Sequence, residues 1–258
     1  MKAIETKARK IKLFVLFTSL LLSIAFLYSC ESDIATKEQS STLTEETTVK
    51  KEASKSFKFD IDKTLFIGDS NIFHLSTYGL VPTSQILTGS EYYMTLDPST
   101  YKKYIVFPET KEEMTVGEAV GILKPEYIII TLGTDGAATL DKNGFELSYS
   151  LVIESIKRSS PESVIGVQSI FPVCMGTKDV RFKDPDKTNE KFSLANVWLK
   201  SLAEKHGVAY LDTSSVLSDA NGSLKSEYNT DHLDGYHLNR EGLEVMLEYI
   251  KAFESTDE

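Results

Sequence analysis

Three short clusters in this chain hold residues whose types and spacing suit them to chemistry. Gly68-Asp69-Ser70 follows an apolar run. A glycine there allows a tight strand-to-helix turn. Ser70 then stands at a helix N-terminus with its hydroxyl accessible and its own backbone N–H pointing the same way, the two things a serine nucleophile needs. The competing reading is that Ser70 only caps the helix that follows. Near the other end, Asp231-His232-Leu233-Asp234-Gly235-Tyr236-His237 carries a carboxylate and an imidazole three residues apart, Asp234 and His237, just before the last apolar-periodic stretch. On a turn, that spacing lets the carboxylate hold Nδ1 and leaves Nε2 free to take a serine proton. Two Asp and two His so close together also admit a metal site. With no helical His-x-x-x-His pair and no further cluster of metal-ligand residues elsewhere, neither a metal nor another cofactor is expected. The third cluster is Gly133-Thr134-Asp135-Gly136, directly after the apolar run YIIITL.

The elements that must position these clusters are legible as an alternation. Apolar runs rich in β-branched residues, at Lys63–Gly68, Gln85–Thr88, Tyr127–Leu132, Val164–Ile170 and Val208–Leu211, are strand candidates. Between and after them lie helix candidates at 70–79, 115–123, 145–158, 188–206 and 239–253. In the last of these, Leu243, Met246, Leu247 and Ile250 fall at helical spacing behind Asn239 as N-cap. Strands alternating with helices predict parallel βαβ units and an α/β fold, a three-layer α/β/α sandwich. Uniformly apolar strands fit a sheet covered on both faces. Ligands of such sheets bind outside the carboxyl ends of the strands, where the Gly68–Ser70 and Gly133–Gly136 clusters fall.

Composition narrows the partners. The 258 residues carry a net charge of −10, and the first twelve residues hold five cations and one anion, so the remainder carries −14. With no basic stripe, nucleic acid is excluded as the expected partner. No protein partner is implied. The basic start runs into Leu13–Tyr28, sixteen mostly apolar residues, then Ser29-Cys30. At 1.5 Å per residue that run spans roughly 24 Å, short of a bilayer core of about 30 Å. It reads as a secretory signal, and a Cys after a small residue resembles a bacterial lipoprotein signal, with Cys30 lipidated. The alternative is an uncleaved anchor helix, which also puts the domain outside. Residues 31–56, rich in Ser, Thr, Glu and Lys, read as a disordered tether. The expected organisation is a signal peptide over 1–30, the tether over 31–56 and one domain over 57–258. The expected location is extracytoplasmic, on the outer face of a membrane. Cys174 reads as a small buried hydrophobe.

Taken in order, the Gly-Asp-Ser, the strand-end Gly-Thr-Asp-Gly and the Asp-x-x-His before the terminal helix resemble the blocks of the GDSL-type hydrolases, also called the SGNH family. The resemblance covers about residues 60–254. It implies a flavodoxin-like sandwich around a five-stranded parallel sheet, with Ser70 as nucleophile and His237 and Asp234 as its partners. It also implies an oxyanion hole built from the Ser70 N–H, the Gly89 N–H of Leu87-Thr88-Gly89-Ser90, and the third-block residue. That last position departs from the family pattern Gly-x-Asn-Asp: the expected Asn is Asp135. An ionised carboxylate only accepts hydrogen bonds. A protonated Asp135, another donor such as Asn71, or an inefficient enzyme would each accommodate it.

The leading expectation is a tethered serine esterase acting on small acyl esters, O-acetyl groups of glycans or cell-envelope polymers first. A weak or inactive glycan- or protein-binding member and a lipid esterase or thioesterase are the alternatives. The bland readings are preferred for Asp69 (turn buttress), His74 (surface or core), His232 (solvated or supporting) and Trp198 (core). Residues 168–173 are expected to wall the cleft, and the polar 174–188 loop to act as a lid or to select substrate.

Overall fold

The computed structural model describes residues 57–96, 104–230 and 234–254. The leader, Cys30, the tether and His232 therefore lie outside the described residues.

The apolar runs form a parallel sheet because both faces of each strand find cover. The strands are β1 (Thr64–Gly68), β2 (Ile86–Leu87), β5 (Tyr127–Thr131), β6 (Val164–Gln168) and β7 (Ala209–Leu211), in spatial order β2-β1-β5-β6-β7. Every pairing is parallel, with Gly68 opposite Thr131 and Ile130 opposite Val167. Successive residues point to opposite faces. Leu65, Ile67, Ile128 and Ile130 enter one core, whereas Phe66 and Ile129 enter the other. The first core is closed by α2 (Val116–Leu123), α4 (Lys142–Ser159) and α5 (Pro185–His206), through Val120, Tyr149, Ile153, Phe192 and Leu199. The second is closed by α1 (Ser70–Thr77) and α7 (Arg240–Ala252), through Ile72, Leu75, Leu243, Met246 and Ile250. The result is the three-layer sandwich around five parallel strands that the sequence predicts.

Helix starts differ from the periodicity by a few residues, and capping explains why. Two helices begin at Lys142 and Pro185, three residues before their first expected positions. In each case an Asp supplies the cap: Asp141 accepts from the Gly144 N–H at 2.8 Å, and Asp184 accepts from the Lys187 N–H at 3.3 Å. Such caps extend a helix N-terminally beyond its first core-facing residue. Asn239 caps α7 as expected, through the Gly242 N–H at 2.9 Å. Three elements carry no readable period. They are the two-residue strands β3 (Ile105–Val106) and β4 (Glu113–Met114), which pair antiparallel, and the six-residue α3 (Thr134–Thr139). The short α6 (Ser214–Leu217) follows β7.

Candidate active site

The site begins where β1 runs out. A Cβ on Gly68 would sit 2.5 Å from Ile72 Cγ1 and 2.7 Å from the Thr131 carbonyl, so glycine lets the strand end pass between β5 and α1. Asp69, not Ser70, caps the helix: it holds extended dihedrals and accepts from the Asn71 N–H at 3.0 Å. That resolves the capping alternative, because Ser70 is the first helical residue and its side chain is not used on the backbone. The other Asp69 oxygen takes a short hydrogen bond from the Tyr236 hydroxyl. Burial pushes the Asp69 carboxyl above its ordinary range, against the bonds from Tyr236 and Asn71. Burial together with Asp69 keeps the Tyr236 hydroxyl protonated and donating.

The second half of the site is a tight loop. Gly235 takes a left-handed φ of 62° and passes against Thr177, where a Cβ would overlap that side chain. The turn lets Asp234 Oδ1 accept from the backbone N–H groups of Tyr236 (2.6 Å) and His237 (2.9 Å). Its Oδ2 lies 2.7 Å from His237 Nδ1. Burial raises the Asp234 carboxyl, but these two N–H bonds and the imidazole outweigh it and hold it below the usual range. A carboxylate on Nδ1 assigns the proton there and leaves Nε2 as an acceptor. His237 Nε2 lies 2.7 Å from Ser70 Oγ, across 167 residues of sequence. Ser70, His237 and Asp234 thus form one continuous hydrogen-bonded chain.

Asn71 is wholly buried, and its Oδ1 accepts from the Leu238 N–H at 2.9 Å. It ties the histidine loop to α1, and it is not among the residues that line the small cavity beside Ser70. His74 is neither a surface nor a simple core residue. Its ring centroid is 5.2 Å from that of His237, and its Nδ1 is buried without a hydrogen-bond partner among the described residues. Burial lowers the His74 pKa and the neighbouring His237 lowers it further, with Asp234 opposing. The unfolded chain titrates this group near 6.5, so below about that pH the unfolded state binds more protons and stability falls with falling pH. Replacing His74 by Phe is expected to shrink the drop in Tm between about pH 7 and pH 5. An identical drop in both proteins would show that His74 does not titrate in this way.

Beside Ser70 lies a small cavity of about 30 Å³. Asp135, in the first turn of α3, lines it, and so do Thr134, Tyr236 and four residues the sequence reading did not single out: Tyr92, Tyr93, Met94 and Arg181. The Tyr93 hydroxyl hydrogen-bonds Asp135. Arg181 comes from the polar 174–188 loop, is held by Asp179 at 2.7 Å and lies over the Tyr236 ring at 5.8 Å. Gly89 is buried one step behind the cavity, packed against the Tyr93 carbonyl, and is not among the described lining residues. Residues 168–173 are placed elsewhere than the expected cleft wall. Gln168 and Ser169 are fully buried, Gln168 being hydrogen-bonded to Thr131. Ile170 and Pro172 face a separate, wider groove of about 1860 Å³ along α5 and β7 that contains none of the residues above. Cys174 is buried with its thiol pushed up to about 11 by desolvation, and Trp198 packs edge-on to Phe145.

Fold and site together define a hydrolase of the α/β/α sandwich class. The model of the GDSL-like lipase/acylhydrolase family matches residues 109–245, more than half of the chain, and the chain belongs to that family. The matched stretch contains Asp135, Asp234 and His237, whereas Ser70 and Gly89 precede it. Among solved structures, a GDSL-like lipase from Bacteroides thetaiotaomicron matches at 16% identity with a TM-score of 0.52, covering 74% of this chain and 86% of that one. A DUF4886 family protein from Bacteroides uniformis matches at 16% identity with a TM-score of 0.50, covering 73% and 81%. At these identities the likeness is one of fold. No curated protein sequence matches the chain significantly.

Proposed function

We propose that the protein is a serine esterase that removes small acyl groups, O-acetyl foremost, from glycans or cell-envelope polymers. The observation that carries this reading is the chain Ser70 Oγ–His237 Nε2–Asp234, with both contacts at 2.7 Å. In this mechanism Ser70 Oγ attacks the ester carbonyl while its proton passes to His237 Nε2. Asp234 stabilises the imidazolium. The Ser70 N–H, unused at the start of α1, takes the developing oxyanion. His237 then protonates the departing alcohol, and water, deprotonated by the same imidazole, releases the acid and regenerates Ser70. The polar groups beside Ser70, among them Thr134, Asp135 and Arg181, support a polar ester substrate. A lipidated Cys30 and the tether of residues 31–56 would hold this domain outside the cell, within reach of envelope polymers. A second reading, a weak or inactive member that binds a glycan or protein, is favoured by one observation: a carboxylate, Asp135, lines the nucleophile's cavity.

The test is covalent capture. A fluorophosphonate is expected to label the full chain once, with the adduct mapped to Ser70, and p-nitrophenyl acetate to turn over. No adduct and no turnover would overturn the esterase reading and leave the binding one.

A further inference from the structure

The 89–93 loop is held in a shape that its own residues resist. Glu91 and Tyr92 sit consecutively in the left-handed region, at φ 53° and 62°. Side chains with a Cβ avoid that region, and where the surroundings enforce it, the strain marks a functional segment. Several contacts enforce it here. The Tyr92 N–H bonds the Gly89 carbonyl at 3.1 Å and the Tyr93 N–H bonds the Ser90 carbonyl at 3.0 Å. Gly89 admits no Cβ, because one would overlap the Tyr93 carbonyl. The Phe73 ring of α1 backs Tyr92 in a stack, with centroids 3.4 Å apart and planes 13° from parallel. Asp135 holds the Tyr93 hydroxyl.

All this effort presents two tyrosines to solvent. Tyr92 and Tyr93 are 46% and 55% exposed, yet both line the cavity of Ser70. We propose that Tyr92 and Tyr93 form a stacking subsite for a pyranose ring, the alcohol part of an O-acylated glycan whose ester carbonyl lies at Ser70. The proposal rests on the esterase reading above and names its substrate class. A sugar ring offers a face of C–H groups to an aromatic ring and a rim of hydroxyls to polar neighbours. The wall beside the tyrosines carries hydroxyls and carboxyls, those of Thr134, Tyr236, Asp69 and Asp135, together with Arg181, which Asp179 pairs at 2.7 Å. These groups offer donors and acceptors to the hydroxyl rim of a sugar.

The test compares two acetyl esters on the full chain: partially O-acetylated xylotetraose, which has pyranose rings, and triacetin, which has none. Tyr92→Ala and Tyr93→Ala are each expected to raise KM for the xylotetraose ester about tenfold more than KM for triacetin. Tyr93→Phe, which keeps the ring, is expected to restore the wild-type ratio, and Tyr93→Leu, which keeps bulk without the ring, is not. Equal changes for both esters would overturn the proposal. If the wild-type chain cleaves neither ester, the esterase reading fails by itself. Stacking is then read by calorimetric titration of xylotetraose: weaker binding in the Ala variants upholds the subsite, and no binding or equal binding overturns it.

Discussion

Ser70→Ala is expected to lower kcat for p-nitrophenyl acetate by roughly 10⁴- to 10⁶-fold, His237→Ala by a similar factor, and the double variant by no more than either alone. The physical reason lies in the coupling of the two groups. The Ser70 hydroxyl is a poor nucleophile until His237 Nε2, 2.7 Å away, accepts its proton. Without the imidazole the hydroxyl has no base, and without the hydroxyl the imidazole has nothing to activate. Each single change therefore removes the whole unit, and what survives is binding plus oxyanion stabilisation. Ser70 takes no part in capping α1, a role that Asp69 performs, so the serine variant should keep its Tm. Independent losses that multiply in the double variant would mean that the two side chains do not act as one unit. A fully active Ser70→Ala would end the mechanism altogether.

Asp135→Asn is expected to raise kcat by roughly 10²-fold, the scale on which one oxyanion donor contributes in other hydrolases. Asp135 lines the same cavity as Ser70 and accepts from the Tyr93 hydroxyl. As a carboxylate it opposes the negative charge that builds on the carbonyl oxygen during attack. An Asn keeps an oxygen for Tyr93 and turns an N–H donor toward the cavity, so repulsion is exchanged for a hydrogen bond while the shape is kept. The gain should fall mainly in kcat, because the interaction exists only once charge develops. A rate that stays level or falls would mean that the carboxylate serves binding, and would shift weight to the glycan- or protein-binding reading.

Much of the fold was written locally. The mostly apolar runs at 64–68, 127–131 and 164–168 demanded a sheet covered on both sides, and the spacing of Leu243, Met246, Leu247 and Ile250 demanded a helix with one buried face. Asp234 and His237 were legible as a pair because a three-residue turn brings them together with only neighbouring backbone to help. Ser70 was legible as a candidate nucleophile because it follows a strand end at a helix start. Other features had no local signature. Strands β3 and β4 are two residues each, too short for a period to show.

The rest depends on which surfaces meet. Gln168 became core and not cleft wall because Thr131 of the neighbouring strand satisfies its amide. His74 became a neighbour of His237, and Asn71 a tie to Leu238, because α1 packs beside the loop that precedes α7. Tyr92, Tyr93 and Arg181 reached the nucleophile from segments with no motif of their own. Hydrophobic period, caps and turns act over a few residues, so the layers, the parallel pairing and the three chemical clusters were legible along the chain. What surrounds Ser70 was not, because distances between segments up to 167 residues apart are set by packing and not by any pattern along the chain.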